Sequence, residues 1–125
     1  VRAMTDVTGV GLLGHLIEMC EGSRTRAEID FSKVPRIPEA EYYINEGCIP
    51  GGTGRNWDSY GQKVGEIGDF ERDVLADPQT SGGLLVAVVA EYEREFKQMD
   101  QGLGMVIESF GELMEQEGDV VVKVV

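Results

Sequence analysis

Between Gly9 and about Glu21 the apolar residues Leu12, Leu13, Leu16, Ile17, Met19 and Cys20 recur with helical spacing, which predicts a helix with one core-facing stripe. Its other side carries Gly11, Gly14, His15, Glu18 and Gly22. Glycine inside a helix costs about 1 kcal/mol relative to alanine, so another backbone is expected to approach closely there. TRAEIDF, 25–31, alternates polar and apolar residues as a strand does, and the Pro35 to Pro38 segment ends it before a short helix around 39–46. Residues 47–61, with PGGTGRNWDSYG, read as a loop too long and glycine-rich for a simple connector. QKVGEI predicts a short strand and DFERDVLA a short helix.

ADPQTSGG, 76–83, then breaks the chain and leads into LLVAVV, 84–89. This run is apolar on both faces, which predicts a central strand covered by helices on both sides. A helix from about Glu91 follows, with Tyr92, Phe96, Met99 and Leu103 on one stripe and Glu91, Glu93 and Glu95 near its positive end. Gly102 and Gly104 stop it. MVIESFGEL and DVVVKVV, around the turn-like Glu117 and Gly118, predict two strands that pair with each other. The order of elements indicates a mixed α/β sheet, with no internal repeat or low-complexity segment.

Composition narrows what such a fold can bind. The 125 residues are 42% hydrophobic, enough for one globular domain with a real core. Eleven Lys and Arg against 23 Asp and Glu give a formal charge of -12, a field that repels nucleic acid and anionic lipid. Neither a nucleic acid nor a membrane is therefore expected as a partner, and any phosphate met needs a metal ion or local dipoles. No apolar run suits a membrane span and no signal peptide is evident, so a cytoplasmic location is expected. Cys20, Cys48 and His15 are the only cysteines and histidine, too few for a four-ligand structural zinc site, and two cysteines argue against a disulfide scaffold. The chain opens at Val1 without an initiator methionine, which suggests a domain of a longer protein.

Several short motifs carry candidate chemistry. Gly9, Gly11 and Gly14 spell GxGxxG, but a dinucleotide-binding turn needs a hydrophobic strand leading into its first glycine, and VRAMTDVT is polar at Arg2, Thr5, Asp6 and Thr8. Asp6 has two readings: a cap accepting from the N–H of Thr8 or Gly9, or a hard oxygen ligand holding magnesium against a polyphosphate. His15 lacks any nearby nucleophile pattern and reads as a structural hydrogen-bonder. In PGGTGRN, glycines admit an anion to backbone N–H groups and Arg55 supplies a planar fork, although a mobile surface loop explains the segment equally well. ADPQTSGG reads first as a structural turn, with Thr80 and Ser81 remaining candidate polar contacts.

Taken together, TDVTGVGLLGHLIEM, IPGGTGRNWDSYG and LADPQTSGGLL resemble the C-terminal half of the selenide, water dikinases, or selenophosphate synthetases. The resemblance spans nearly the whole chain, with one departure at Val10, where the family usually has phenylalanine. It implies a three-layer α/β/α mixed sheet with partial ferredoxin-like topology, like the C-terminal domain of aminoimidazole ribonucleotide synthetase. The chain 1–125 would then be one C-terminal domain, and the N-terminal half carrying the reactive Cys or selenocysteine and most of the ATP site lies outside it. The implied reaction converts ATP, selenide and water to selenophosphate, AMP and orthophosphate with Mg2+, in an enzyme expected to be a homodimer. Asp6 matches a family magnesium ligand, Thr80, Ser81 and Arg55 become phosphate-facing candidates, and neither Cys20 nor Cys48 inherits the nucleophile's role. The glycine side of the first helix is expected to face a cleft toward the absent half and to be partly exposed. Sibling families, such as aminoimidazole ribonucleotide synthetase, thiamine-monophosphate kinase or hydrogenase maturation proteins, and a non-catalytic module are the alternatives.

Overall fold

Leu13, Leu16, Ile17 and Cys20, predicted as one apolar stripe, are all buried on the helix α1, Gly11–Ser23, around which the domain is organised. The computed structural model describes residues 1–125. Strand β1, Ala3–Asp6, precedes α1 and β2, Thr25–Ile29, follows it; Arg24 between them takes a left-handed conformation that ends the helix. Two short helices, α2 (Ala40–Asn45) and α3 (Gly51–Tyr60), lead to α4, Asp69–Leu75. Then come β3 (Leu84–Ala87), α5 (Glu93–Gly102), β4 (Gly111–Glu115) and β5 (Val122–Val124).

The strands form two separate sheets of a mixed α/β fold, the class expected from the sequence. β1 and β3 make an antiparallel ribbon in which Asp6 faces Leu84 and Met4 faces Val86. The second sheet has the order β4-β2-β5, antiparallel on one side and parallel on the other. Ala27 and Ile29 of β2 and Val122 of β5 are buried in the same core as the α1 stripe.

Five local expectations are corrected. Residues 51–60 are a helix rather than a loop, because Thr53 and Tyr60 bury one face of it. The two C-terminal strands do not pair with each other: β2, central and buried, takes one on each edge, which seats Val122 in the core. The run 84–89 is not covered on both sides, since β3 pairs only with β1 and Leu84 and Met4 are 66% and 60% exposed. Around Val64 the predicted strand reduces to a single parallel bridge with Val122. Met99 of α5 and the flanking Tyr92 and Leu103 are exposed and Phe96 is only half-buried, so the predicted stripe does not pack into the core.

Candidate functional site

The three motifs meet at one junction. Beyond the β1–β3 ladder the chain 79–83 continues alongside 7–8: the N–H of Val7 donates to Gly83 O (2.8 Å), that of Gly82 to Val7 O (3.2 Å) and that of Gln79 to Thr8 O (3.1 Å). Helix α3 closes the junction from the other side. Asn56 Nδ2 donates to Gly9 O and to Ala76 O, both at 2.9 Å, and Tyr60 OH donates to Val10 O at 2.6 Å. Burial raises the Tyr60 hydroxyl to about 12, which keeps it a neutral donor.

The glycines explain how the segments come so close. Gly11 adopts φ +75, and a Cβ there would lie 2.9 Å from the carbonyl carbon of Ala76 and 3.0 Å from the oxygens of Leu75 and Asp77. A Cβ at Gly14 would meet Val10 Cβ at 2.6 Å and the Tyr60 ring at 3.0 Å, while one at Gly52 would meet the Pro78 ring at 2.9 Å. The expectation that this helix side faces an outside partner is therefore corrected. Gly11 and Gly14 are buried against α3 and residues 75–77 of the same chain, and His15 is mostly covered. Nor does GxGxxG form a dinucleotide turn, because β1 and β2 lie in different sheets and the surfaces of Gly11 and Gly14 are filled by protein.

Asp6 ends β1 with an exposed carboxylate that no hydrogen bond or ion pair engages. It does not cap α1: the helix begins five residues later, after Val10, and has no side-chain cap. Thr8 Oγ1 lies 3.0 Å from His15 Nε2, and His15 Nδ1 is 3.2 Å from Glu18 Oε2 without hydrogen-bond alignment. His15 thus braces the turn, in line with its structural reading. Thr80 and Ser81 are exposed in the turn that flanks Val7 and Thr8, the segment that leads on from Asp6. Below them, Gln79 Nε2 donates to Asp77 Oδ2 at 2.7 Å, and burial pushes the Asp77 carboxyl up.

Arg55 is exposed on α3, its guanidinium folded over the first turn beside the Gly52–Pro78 contact and paired with no carboxylate. The chain contains no group of three or more His, Cys, Asp or Glu side chains able to hold a metal by themselves. Asp6 can therefore serve a cation only as one ligand among others from outside the chain; a hard, unengaged carboxylate suits magnesium in that shared role. Cys20 is buried and its thiol is pushed up by that burial, the reverse of an activated nucleophile. The residue that sequence reading missed is Asn56. Its signal was a polar side chain on the same helical face as Thr53 and Tyr60, visible only once 51–60 is known to be a helix.

Comparison with known proteins gives the family. The profile of the family described as AIR synthase related protein, C-terminal domain, matches residues 1–124. The selenide, water dikinase of Photorhabdus laumondii is 54% identical over 125 residues, covering 99% of this chain and 36% of that protein. Those of Pseudomonas putida and Bordetella bronchiseptica are 52% and 56% identical over 121 and 116 residues, covering 97% and 93% of this chain and 35% and 34% of theirs. The chain thus spans about a third of the length of the curated relatives it matches. No helix is long and apolar enough to cross a membrane.

Proposed function

The chain belongs to the family of AIR synthase related C-terminal domains, and on that premise we propose that it is the C-terminal part of a selenide, water dikinase. The complete enzyme would convert selenide, ATP and water to selenophosphate, AMP and orthophosphate. The observation that carries this reading is the convergence of TDVTG, GGTGRN and ADPQTSGG, far apart in sequence, on one hydrogen-bonded junction with polar side chains at its rim.

In this reading Asp6 holds magnesium together with ligands supplied by the rest of the enzyme. The ion offsets negative charge on the ATP phosphates. What this chain contributes is placement: the 79–83 turn and Asn56 hold the strand end, and Asp6 projects an oxygen free of competing partners. Thr80 and Ser81 offer hydroxyl donors to a phosphate at the same rim, and Arg55 a planar cation at its edge, in a domain otherwise too acidic to attract an anion. In the same reading the complete enzyme would work in the cytoplasm as a homodimer, with neither nucleic acid nor membrane as a partner.

The test is product identification with the complete protein. Phosphorus NMR should show selenophosphate, AMP and orthophosphate in equal amounts from ATP and selenide. ADP as the nucleotide product, or turnover indifferent to selenide, would assign the domain to a sibling ATP enzyme.

A further inference from the structure

Asn56 stands at the one place where all three motifs touch. Its amide nitrogen carries two hydrogens, and both are engaged, one on Gly9 O and the other on Ala76 O at 2.9 Å each. Ala76 follows the last residue of α4, where a helix leaves carbonyls without partners, so one half of the contact is an ordinary helix end. The other half is not: Gly9 belongs to the segment that runs from Asp6 into α1, and the carbonyl just before it, on Thr8, already receives Gln79 N–H from the opposite turn. The strand end is therefore held from both flanks, by Gln79 and Gly82 on one side and Asn56 on the other. The helical backbone carrying Asn56 is itself fixed by Gly52 against Pro78 and by the Tyr60 bond to Val10.

We propose that Asn56 is a positioning residue that latches the Asp6 segment to the 76–83 turn, so that the carboxylate of Asp6 and the hydroxyls of Thr80 and Ser81 are presented in fixed register to a magnesium-bound phosphate. The proposal rests on the magnesium reading of Asp6. No other residue type supplies the same latch at this reach: aspartate has no donor and would set a charge against two carbonyls, and serine has only one hydrogen. Tyr60 is the natural comparison, since it also bonds a carbonyl of the same segment, at Val10, but makes no link to the 76–83 turn.

The experiment uses the complete protein with Asn56→Asp, Asn56→Ser, Tyr60→Phe and Asp6→Asn. It reads AMP production against magnesium concentration and amide hydrogen exchange at Gln79 and Gly82. Loss of the latch should raise the half-saturating magnesium concentration roughly 10-fold, the lower end for lost support of a metal ligand. Tyr60→Phe should leave it within about two-fold although it also loses stability. The Gln79 and Gly82 amides should exchange on the order of 10 times faster in Asn56→Ser and stay protected in Tyr60→Phe. Should Asn56→Asp not fold, Asn56→Ser carries both readouts. Unchanged exchange at Gln79 and Gly82 overturns the latch, as does an equal magnesium shift in Tyr60→Phe. A wild-type magnesium curve for Asp6→Asn would sink the magnesium reading instead, and the exchange data would still decide the latch.

Discussion

Replacing Gly11 with alanine should be among the most damaging single-methyl changes in this chain, whereas the same change at Gly9 should be silent. Gly11 sits at φ +75, where a side chain costs about 1–2 kcal/mol. The added Cβ would also press on three backbone atoms at 2.9 to 3.0 Å, and backbone cannot rotate aside as a flexible side chain can. Overpacking of that kind costs about 1–3 kcal/mol, giving a total of about 2–5 kcal/mol. For a domain of this size that is a fall in Tm of roughly 8–20 °C. Gly9 has nothing within 4 Å of its would-be Cβ and no positive φ, so Gly9→Ala should stay within about 0.5 kcal/mol of the parent. Circular-dichroism melts of both variants decide the matter. A dinucleotide turn would make the first glycine indispensable. Similar Tm losses at positions 9 and 11, or none at 11, would refute the packing account.

Tyr60→Phe removes the bond to Val10 O and should cost about 1–2 kcal/mol near neutral pH. Because the folded Tyr60 ionises at about 12 while the unfolded one ionises near 10, the unfolded chain loses its proton first. Stability is therefore fully present below pH 10 and falls as pH rises toward 12; the difference in unfolding free energy between parent and Tyr60→Phe should shrink over that window, and a constant difference would contradict it. Thr53 is 2% exposed with its hydroxyl unpartnered, so Thr53→Val should raise Tm by about 4 °C, corresponding to about 1 kcal/mol; a drop in Tm would mean that the hydroxyl has a partner. The 125 residues alone should form no AMP from ATP and selenide, and selenide-dependent turnover by them would overturn the division of labour proposed above.

Periodicity located the elements whose burial is decided within the chain. Leu13, Leu16, Ile17 and Cys20 carried both the helix and its core face, and Ala27 and Ile29 did the same for β2. It misjudged elements whose apolar residues find no partner here: Leu84 on β3, Met99 on α5 and Leu103 just after it read as core and are exposed. Helix α3 was hidden because Gly51, Gly52 and Gly54 are poor helix formers, and the contacts that hold it, Gly52 on Pro78 and Asn56 on two carbonyls, are all distant in sequence. Among the candidate site residues, Thr80 and Ser81 lie in the turn whose neighbours Gln79, Gly82 and Gly83 bond Val7 and Thr8 in continuation of the β1–β3 ladder. The capping reading of Asp6 fails because α1 begins at Gly11, beyond its reach.

The central claim, that this domain lends Asp6 to a magnesium-dependent phosphoryl transfer, is tested most directly by Asp6→Asn in the complete enzyme. The carboxylate is exposed and unbonded, so the substitution should leave the unfolding free energy within about 0.5 kcal/mol of the parent value. Loss of charge stabilisation at a phosphoryl-transfer site should lower selenide-dependent AMP production on the order of 100-fold at low magnesium. Wild-type rates at low magnesium, with the fold intact, would show that Asp6 holds no metal and would contradict the account.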